Sequence, residues 1–71
     1  MPDSTYKVIE LVGSSEKGWE EAANNAVVKA AETLRDIRVC EVQMLDTRIA
    51  DNKIVAYRAR VKISFKFEAR E

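Results

Sequence analysis

The sequence has no histidine, one cysteine, one proline and two glycines. With no histidine and a single thiol, neither a disulfide framework nor a zinc site of the usual cysteine and histidine type can form within the chain. No apolar run approaches the roughly 20 residues of a membrane-spanning helix. Twelve basic and twelve acidic residues cancel, so no overall field attracts nucleic acid or an anionic membrane, and we expect neither as a partner.

The length of 71 residues predicts a single domain over residues 1–71. A chain this short buries a core that roughly balances its own conformational entropy, so further support is expected. Disulfides and zinc are excluded, and self-association remains. The first residues lack the basic and apolar blocks of a secretory signal, and one unpaired thiol suits a reducing compartment, so the sequence predicts a cytoplasmic location.

A hairpin is the clearest feature that is present. Asp51 and Asn52 stand between two segments of alternating apolar and polar residues, and both residue types accept the positive φ of a two-residue type I′ turn. Counting outward from this turn predicts an apolar face that pairs Met44 with Ala59, Val42 with Val61 and Cys40 with Ile63, and a charged face that pairs Leu45 with Arg58, Gln43 with Arg60 and Glu41 with Lys62. A slip of one residue would turn every side chain over, so the pattern predicts this register.

An amphipathic helix is predicted upstream of the hairpin, over about residues 15–35. Apolar residues recur there at helical spacing from Trp19 to Leu34. Ser14 or Ser15 is expected to cap its N-terminus. Trp19 is interpreted as an anchor of the helix on the sheet, although an indole can also stack on a planar ligand.

Strands are predicted over about residues 6–12, 38–49 and 54–67, because these segments are rich in β-branched and aromatic residues or alternate in polarity. The fold class is therefore α+β, a β-α-β-β chain whose three-stranded antiparallel sheet wraps around one helix. Cys40 faces the core of this sheet, and no histidine exists to activate it. The strands leave an outer face and edges that self-assembly would cover.

The chain resembles the dodecin family along essentially its whole length without a gap. The resemblance is carried by the segments Tyr6–Ser15, Trp19–Ala23, Thr33–Val42 and Val61–Glu68, together with Tyr57. It implies a shell of twelve identical subunits with antiparallel sheets wrapped round helices. It also implies the binding of flavin as a store or buffer, without catalysis.

Two positions bear on flavin binding. Flavin-binding dodecins have a Trp that stacks on the flavin ring where this chain has Val39, and a Gln that bonds the pyrimidine edge where this chain has Arg58. With both replaced, the resemblance implies a pocket at Val39, Arg58 and Gln43 in which flavin binds weakly or not at all. The segments around Trp19 and Val39 are more similar to the branch described as calcium-binding dodecins.

Calcium is the alternative ligand. Asp46, Glu41, Asp51 and Glu10 lie on predicted strands or turns, where several subunits could bring carboxylates together around a hard cation. The sequence has no EF-hand spacing, so the metal site at Asp46, Glu41 and Asp51 would be built from irregular positions across an interface.

The charged face allows two interpretations. Its basic stripe, Arg58, Arg60, Lys62 and Lys66, could hold an anionic ligand, or could be a solvated face with salt bridges between subunits. The function predicted from the whole sequence is a non-enzymatic homododecamer that sequesters a small ligand or ion. Flavin storage, calcium binding, an enzyme and a purely structural module are the alternatives, and the enzyme is disfavoured because no convergent catalytic cluster is apparent.

Overall fold

The computed structural model describes residues 5–67. Its elements are β1 (Thr5–Ser15), α1 (Trp19–Ala31), β2 (Ile37–Ala50) and β3 (Lys53–Phe67). The three antiparallel strands form one open sheet in the order β1-β3-β2, with the longest strand in the centre. The predicted α+β class and the β-α-β-β order are confirmed.

The start of the helix differs from the prediction. Ser14 and Ser15 belong to β1, where they pair with β3, and α1 begins at Trp19 behind Gly18 without a side-chain cap. The Ser15 hydroxyl accepts a hydrogen bond from the Lys17 backbone N–H at 2.9 Å, which closes a short turn before the helix. The predicted serine cap is therefore wrong, because the long β3 strand extends the pairing of β1 through both serines.

The helix also ends earlier than predicted. After Ala31, the backbone N–H groups of Glu32 and Thr33 bond the carbonyls of Lys29 and Ala30, three residues back, which tightens and ends the helix. Thirteen helical residues span about 20 Å, whereas the 15 residues of β3 span about 50 Å. The helix therefore covers less than half the length of the sheet.

The core lies where α1 meets β1 and β3. Of the described residues, six apolar side chains are buried: Ala22, Ala26, Ala30, Ala59, Val61 and Ile63. Half of them are helical alanines, which let the helix approach the sheet closely. At the closest point, a Cβ built on Gly13 would lie 2.1 Å from the backbone oxygen of Ala22.

The predicted turn is confirmed, since Asp51 and Asn52 have φ values of 52° and 61°. Three predicted pairs are also confirmed, namely Val42 with Val61, Cys40 with Ile63 and Glu41 with Lys62. Because Val61 and Ile63 are buried, this face of the sheet is the inner one, and Glu41 lies on the outer face.

Three other predicted pairs are wrong, namely Met44 with Ala59, Leu45 with Arg58 and Gln43 with Arg60. Two β-bulges explain the difference. The pairing of β2 with β3 skips Val55 on β3 and Gln43 on β2. Between these two bulges the register is shifted by one residue. It pairs Leu45 with Ala59, Met44 with Arg60 and Asp46 with Arg58. The shift keeps Asp46 and Arg48 on the outer face, where a charged side chain meets water.

The chain is long, thin and incompletely covered. It measures 54 × 20 × 16 Å with a radius of gyration of 14.8 Å, against about 11 Å for a compact chain of this length. Among residues 5–67, thirteen large apolar side chains are each more than a third exposed: Tyr6, Val8, Val12, Trp19, Val28, Val39, Val42, Met44, Leu45, Ile49, Ile54, Val55 and Phe67. In the described part of the chain, no helix is both long and apolar enough to cross a membrane.

Candidate functional site

Arg58 and Asp46 form a two-pronged ion pair on the outer face of the sheet. Arg58 Nε donates to Asp46 Oδ1 at 2.7 Å, and Nη2 donates to Oδ2 at 2.8 Å. The two residues face each other across β3 and β2, so the strands themselves set this geometry. The pair engages both carboxylate oxygens and two of the five guanidinium N–H groups.

The ion pair changes the titration of both groups. The hydrogen bond from Arg58, aided by the charges of Arg58 and Arg60, holds the pKa of Asp46 below its usual value against the opposing effect of desolvation. The same hydrogen bond raises the pKa of Arg58. Both side chains remain about two-fifths exposed, so the pair is accessible to a ligand while it stays fully ionised at neutral pH.

Trp19 contacts β2 from the inner side of the sheet. Its indole Nε1 donates to the backbone oxygen of Asp46 at 2.9 Å, and its ring meets Tyr57 edge to face with centroids 5.1 Å apart. Trp19 is thus an anchor, as predicted, but it also fixes the backbone of Asp46. Sequence alone missed this contact because nothing in the helical pattern shows which strand residue lies beneath the first turn.

Arg60 and Lys62 of the basic stripe lie next to carboxylates of the flanking strands. Arg60 lies 3.5 Å from Glu10 of β1, and Lys62 stands opposite Glu10 on one side and Glu41 on the other. The central basic strand is therefore flanked by acidic residues, which favours a charge-matched surface over a general anion-binding groove.

Val39 lies away from Arg58 along the sheet. Val39 pairs with Ser64 and is 57% exposed, and Gln43 lies in a bulge of β2 between the pairs Val42–Val61 and Met44–Arg60. Val39 and Arg58 share the outer face, but the six residues from Arg58 to Ser64 span about 20 Å along β3. A single chain therefore does not bring Val39 and Arg58 together, and a pocket that uses both must combine different copies.

The predicted metal ligands are also dispersed. Glu41 faces Lys62 and Asp46 faces Arg58, while Asp51 lies in the hairpin turn. Among residues 5–67, no group of three or more Asp, Glu, Cys or His side chains is arranged to hold a metal ion. A site that uses these carboxylates therefore needs a second subunit.

A cavity of about 450 Å³ lies at the other end of the molecule, between the turn 33–36 and the end of β3 at 65–67. The turn is shaped by Asp36, which has a φ of 58° and accepts the Lys66 backbone N–H at 3.1 Å. Lys66 at the end of the basic stripe lines this cavity, whereas none of the proposed flavin-site and metal-site residues does, so the cavity is separate from the Arg58 region.

The described residues define a small α+β protein with an ion-paired outer face and many uncovered apolar side chains. The family model described as Dodecin matches residues 5–68. The chain belongs to the dodecin family.

Relatives in sequence include a protein named calcium dodecin from Mycobacterium tuberculosis, 40% identical over 63 residues, or 89% of each chain. A protein named dodecin from Thermus thermophilus is 35% identical over 63 residues, which are 89% of this chain and 91% of the relative. Among solved structures, dodecin from Streptomyces coelicolor superimposes with a TM-score of 0.92 at 34% identity, covering 99% of this chain and 100% of that one. The expected resemblance to dodecins is confirmed.

Proposed function

We propose that the chain is a single domain that assembles into a cytoplasmic, non-enzymatic homododecamer and sequesters a small ligand or ion. Dodecins are homo-oligomeric proteins that bind small ligands, which supports the assembly. The exposed apolar side chains support it further, because a short chain that leaves thirteen of them uncovered within residues 5–67 has too small a core of its own.

The observation that carries the ligand proposal is the Arg58–Asp46 ion pair at 2.7 and 2.8 Å. The Gln of flavin-binding dodecins offers both a donor and an acceptor at this position, whereas Arg58 offers donors only. Val39 cannot supply the ring stacking that a Trp provides. Flavin affinity is therefore weak or absent in the proposed pocket.

Two measurements on the unmodified protein test this proposal. Native mass spectrometry should give about twelve times the 8.1 kDa mass of the chain, and riboflavin fluorescence should be little quenched when the protein is added. A monomer at micromolar concentration would contradict the assembly. Tight quenching of riboflavin would contradict the interpretation of Val39 and Arg58.

Calcium is the second candidate ligand, favoured by the 40% identical relative named calcium dodecin. Both oxygens of Asp46 are already engaged by Arg58, so this carboxylate would have to leave its partner to bind a metal. Glu41 and Asp51 remain candidate ligands if neighbouring subunits bring them together. Elemental analysis of the purified protein, followed by calcium equilibrium dialysis, tests this alternative. A Glu41→Gln and Asp51→Asn variant should lose any calcium that binds there, and an unchanged calcium content would contradict that location.

The non-enzymatic part of the proposal rests on the lack of an activated nucleophile. Cys40 is the one thiol of the chain, and burial raises its pKa, which keeps it protonated and unreactive at neutral pH. A catalytic turnover that persists through repeated purification and is lost in a Cys40→Ser variant would contradict this part.

A further inference from the structure

Counting residues along the hairpin allows a second register, without bulges, between the same end pairs. The pairs Val42 with Val61 and Ile49 with Ile54 are both the pairs expected when residues are counted outward from the turn at Asp51 and Asn52. Between them, the ladder omits one residue on each strand, Gln43 and Val55. Because the two bulges lie on opposite strands they cancel, so a hairpin without either bulge would keep the same ends.

The two registers differ in what they place on each face. The bulge-free register would put Met44 opposite the buried Ala59, and Asp46 opposite Tyr57 on the inner face. The observed register instead puts Leu45 opposite Ala59 and Asp46 opposite Arg58. Each bulge leaves a residue out of the ladder, so specific contacts must favour the observed arrangement.

Two contacts found in the observed register both involve Asp46. Its carboxylate binds Arg58 through two hydrogen bonds, and its backbone oxygen accepts the Trp19 indole N–H at 2.9 Å. In the bulge-free register Asp46 would lie on the opposite face from Arg58, where neither prong of the ion pair could form, and its carboxylate would lie near the Trp19 and Tyr57 rings.

We propose that Asp46 is a positioning residue of the ligand site, which selects the bulged register and so fixes the direction of Arg58. The remaining guanidinium N–H groups of Arg58 are then held in one orientation toward a ligand. This inference rests on the proposed pocket at Arg58, and it deepens that proposal by naming the residue that orients the Arg58 guanidinium.

Methyl NMR on the full assembled protein distinguishes the two registers without a ligand. With Ala, Ile, Leu, Met and Val methyl groups labelled, the unmodified protein should show a nuclear Overhauser contact between Leu45 and Ala59. In Asp46→Leu, which removes the ion pair and favours the inner face, this cross-peak should fall at least threefold, and a contact between Met44 and Ala59 should appear. Glu41→Gln is the matched control, because Glu41 is an outer-face acid whose pairing is the same in both registers.

A charge-exchange variant, Asp46→Arg with Arg58→Asp, completes the experiment. It should restore the contact between Leu45 and Ala59, since the pair can form with its signs reversed. The inference is overturned if Asp46→Leu keeps the unmodified cross-peaks, or if the exchanged pair either fails to fold or shows the bulge-free contact. If Asp46→Leu does not fold, the exchanged pair alone decides. Riboflavin is absent throughout, so a failed register test and a failed flavin test remain distinguishable.

Discussion

Gly13 lies so close to Ala22 that a Cβ added at Gly13 would stand 2.1 Å from the Ala22 backbone oxygen and 3.0 Å from the Ala26 backbone nitrogen. The neighbour is helix backbone, which cannot rotate away as a side chain could. Gly13 therefore sets the distance between α1 and β1, and with it the position of Trp19 over the sheet.

Gly13→Ala should lower the free energy of unfolding by about 1–3 kcal/mol or more, because the helix must move away from the strand. Urea unfolding at a fixed protomer concentration measures the effect. Gly18→Ala is the control, since a Cβ there meets nothing within 4 Å. Equal midpoints for the two variants would contradict the close approach of helix and strand.

Trp19→Phe should lower the free energy of unfolding by about 0.5–1.5 kcal/mol, because the hydrogen bond to the Asp46 carbonyl is lost while most of the ring contact remains. Thermal unfolding followed by circular dichroism is the measurement. Tyr57→Phe serves as the comparison, because it keeps the ring that packs edge to face on Trp19. A larger loss in Tyr57→Phe than in Trp19→Phe would show that the indole hydrogen bond is unimportant.

Acid should release the Arg58–Asp46 pair only at low pH. The pKa of Asp46 is lowered in the folded protein, so the stabilisation from this pair is complete above the ordinary aspartate value of about 3.9 and is lost as the pH falls through the lowered pKa. The fluorescence of Trp19, the one tryptophan of the chain, should report the transition. It should stay constant from about pH 8 to pH 5, and Asp46→Asn should remove the acid step. A midpoint near neutrality in the unmodified protein would contradict the assigned cause.

Val39→Trp combined with Arg58→Gln should increase riboflavin affinity roughly tenfold to a thousandfold. Stacking on an indole contributes about 0.5–1.5 kcal/mol beyond burial, and a neutral group left unpaired costs about 1–3 kcal/mol. Every copy of the chain carries both changes, so the distance between these positions within one chain does not matter. Riboflavin quenching is the measurement. No gain in the double variant would mean that the pocket differs in other positions as well.

Much of the fold could be predicted because it follows local rules. Asp51 and Asn52 adopt the positive φ that their side chains tolerate, and strict alternation in β3 placed Ala59, Val61 and Ile63 in the core. The helix was also predictable in kind, although not in length. The helix ends where the backbone hydrogen bonds after Ala31 tighten the last turn. Its start depends on how many residues of β1 pair with β3.

The ion pair at the candidate site could not be predicted from a count of residues along the hairpin. One signal of the bulge was present, since the apolar phase of β2 changes between Val42 and Leu45. The same change in the sequence would be seen if Leu45 were exposed on the outer face of a hairpin without bulges. Only the bulges at Gln43 and Val55 show that Leu45 instead pairs with Ala59 on the inner face. The contact from Trp19 to Asp46 joins residues 27 positions apart and required the packed structure.

In the proposed assembly, the thirteen apolar side chains that are uncovered in one chain within residues 5–67 would make dilution itself a denaturing condition. When subunits complete each other's cores, the folded fraction depends on protomer concentration as well as on temperature and solvent. A cell that makes little of this chain would then have few folded binding sites per molecule synthesised. Near the concentration at which the subunits assemble, doubling the expression of the chain would more than double its binding capacity. Binding capacity would then become a steep function of gene dosage.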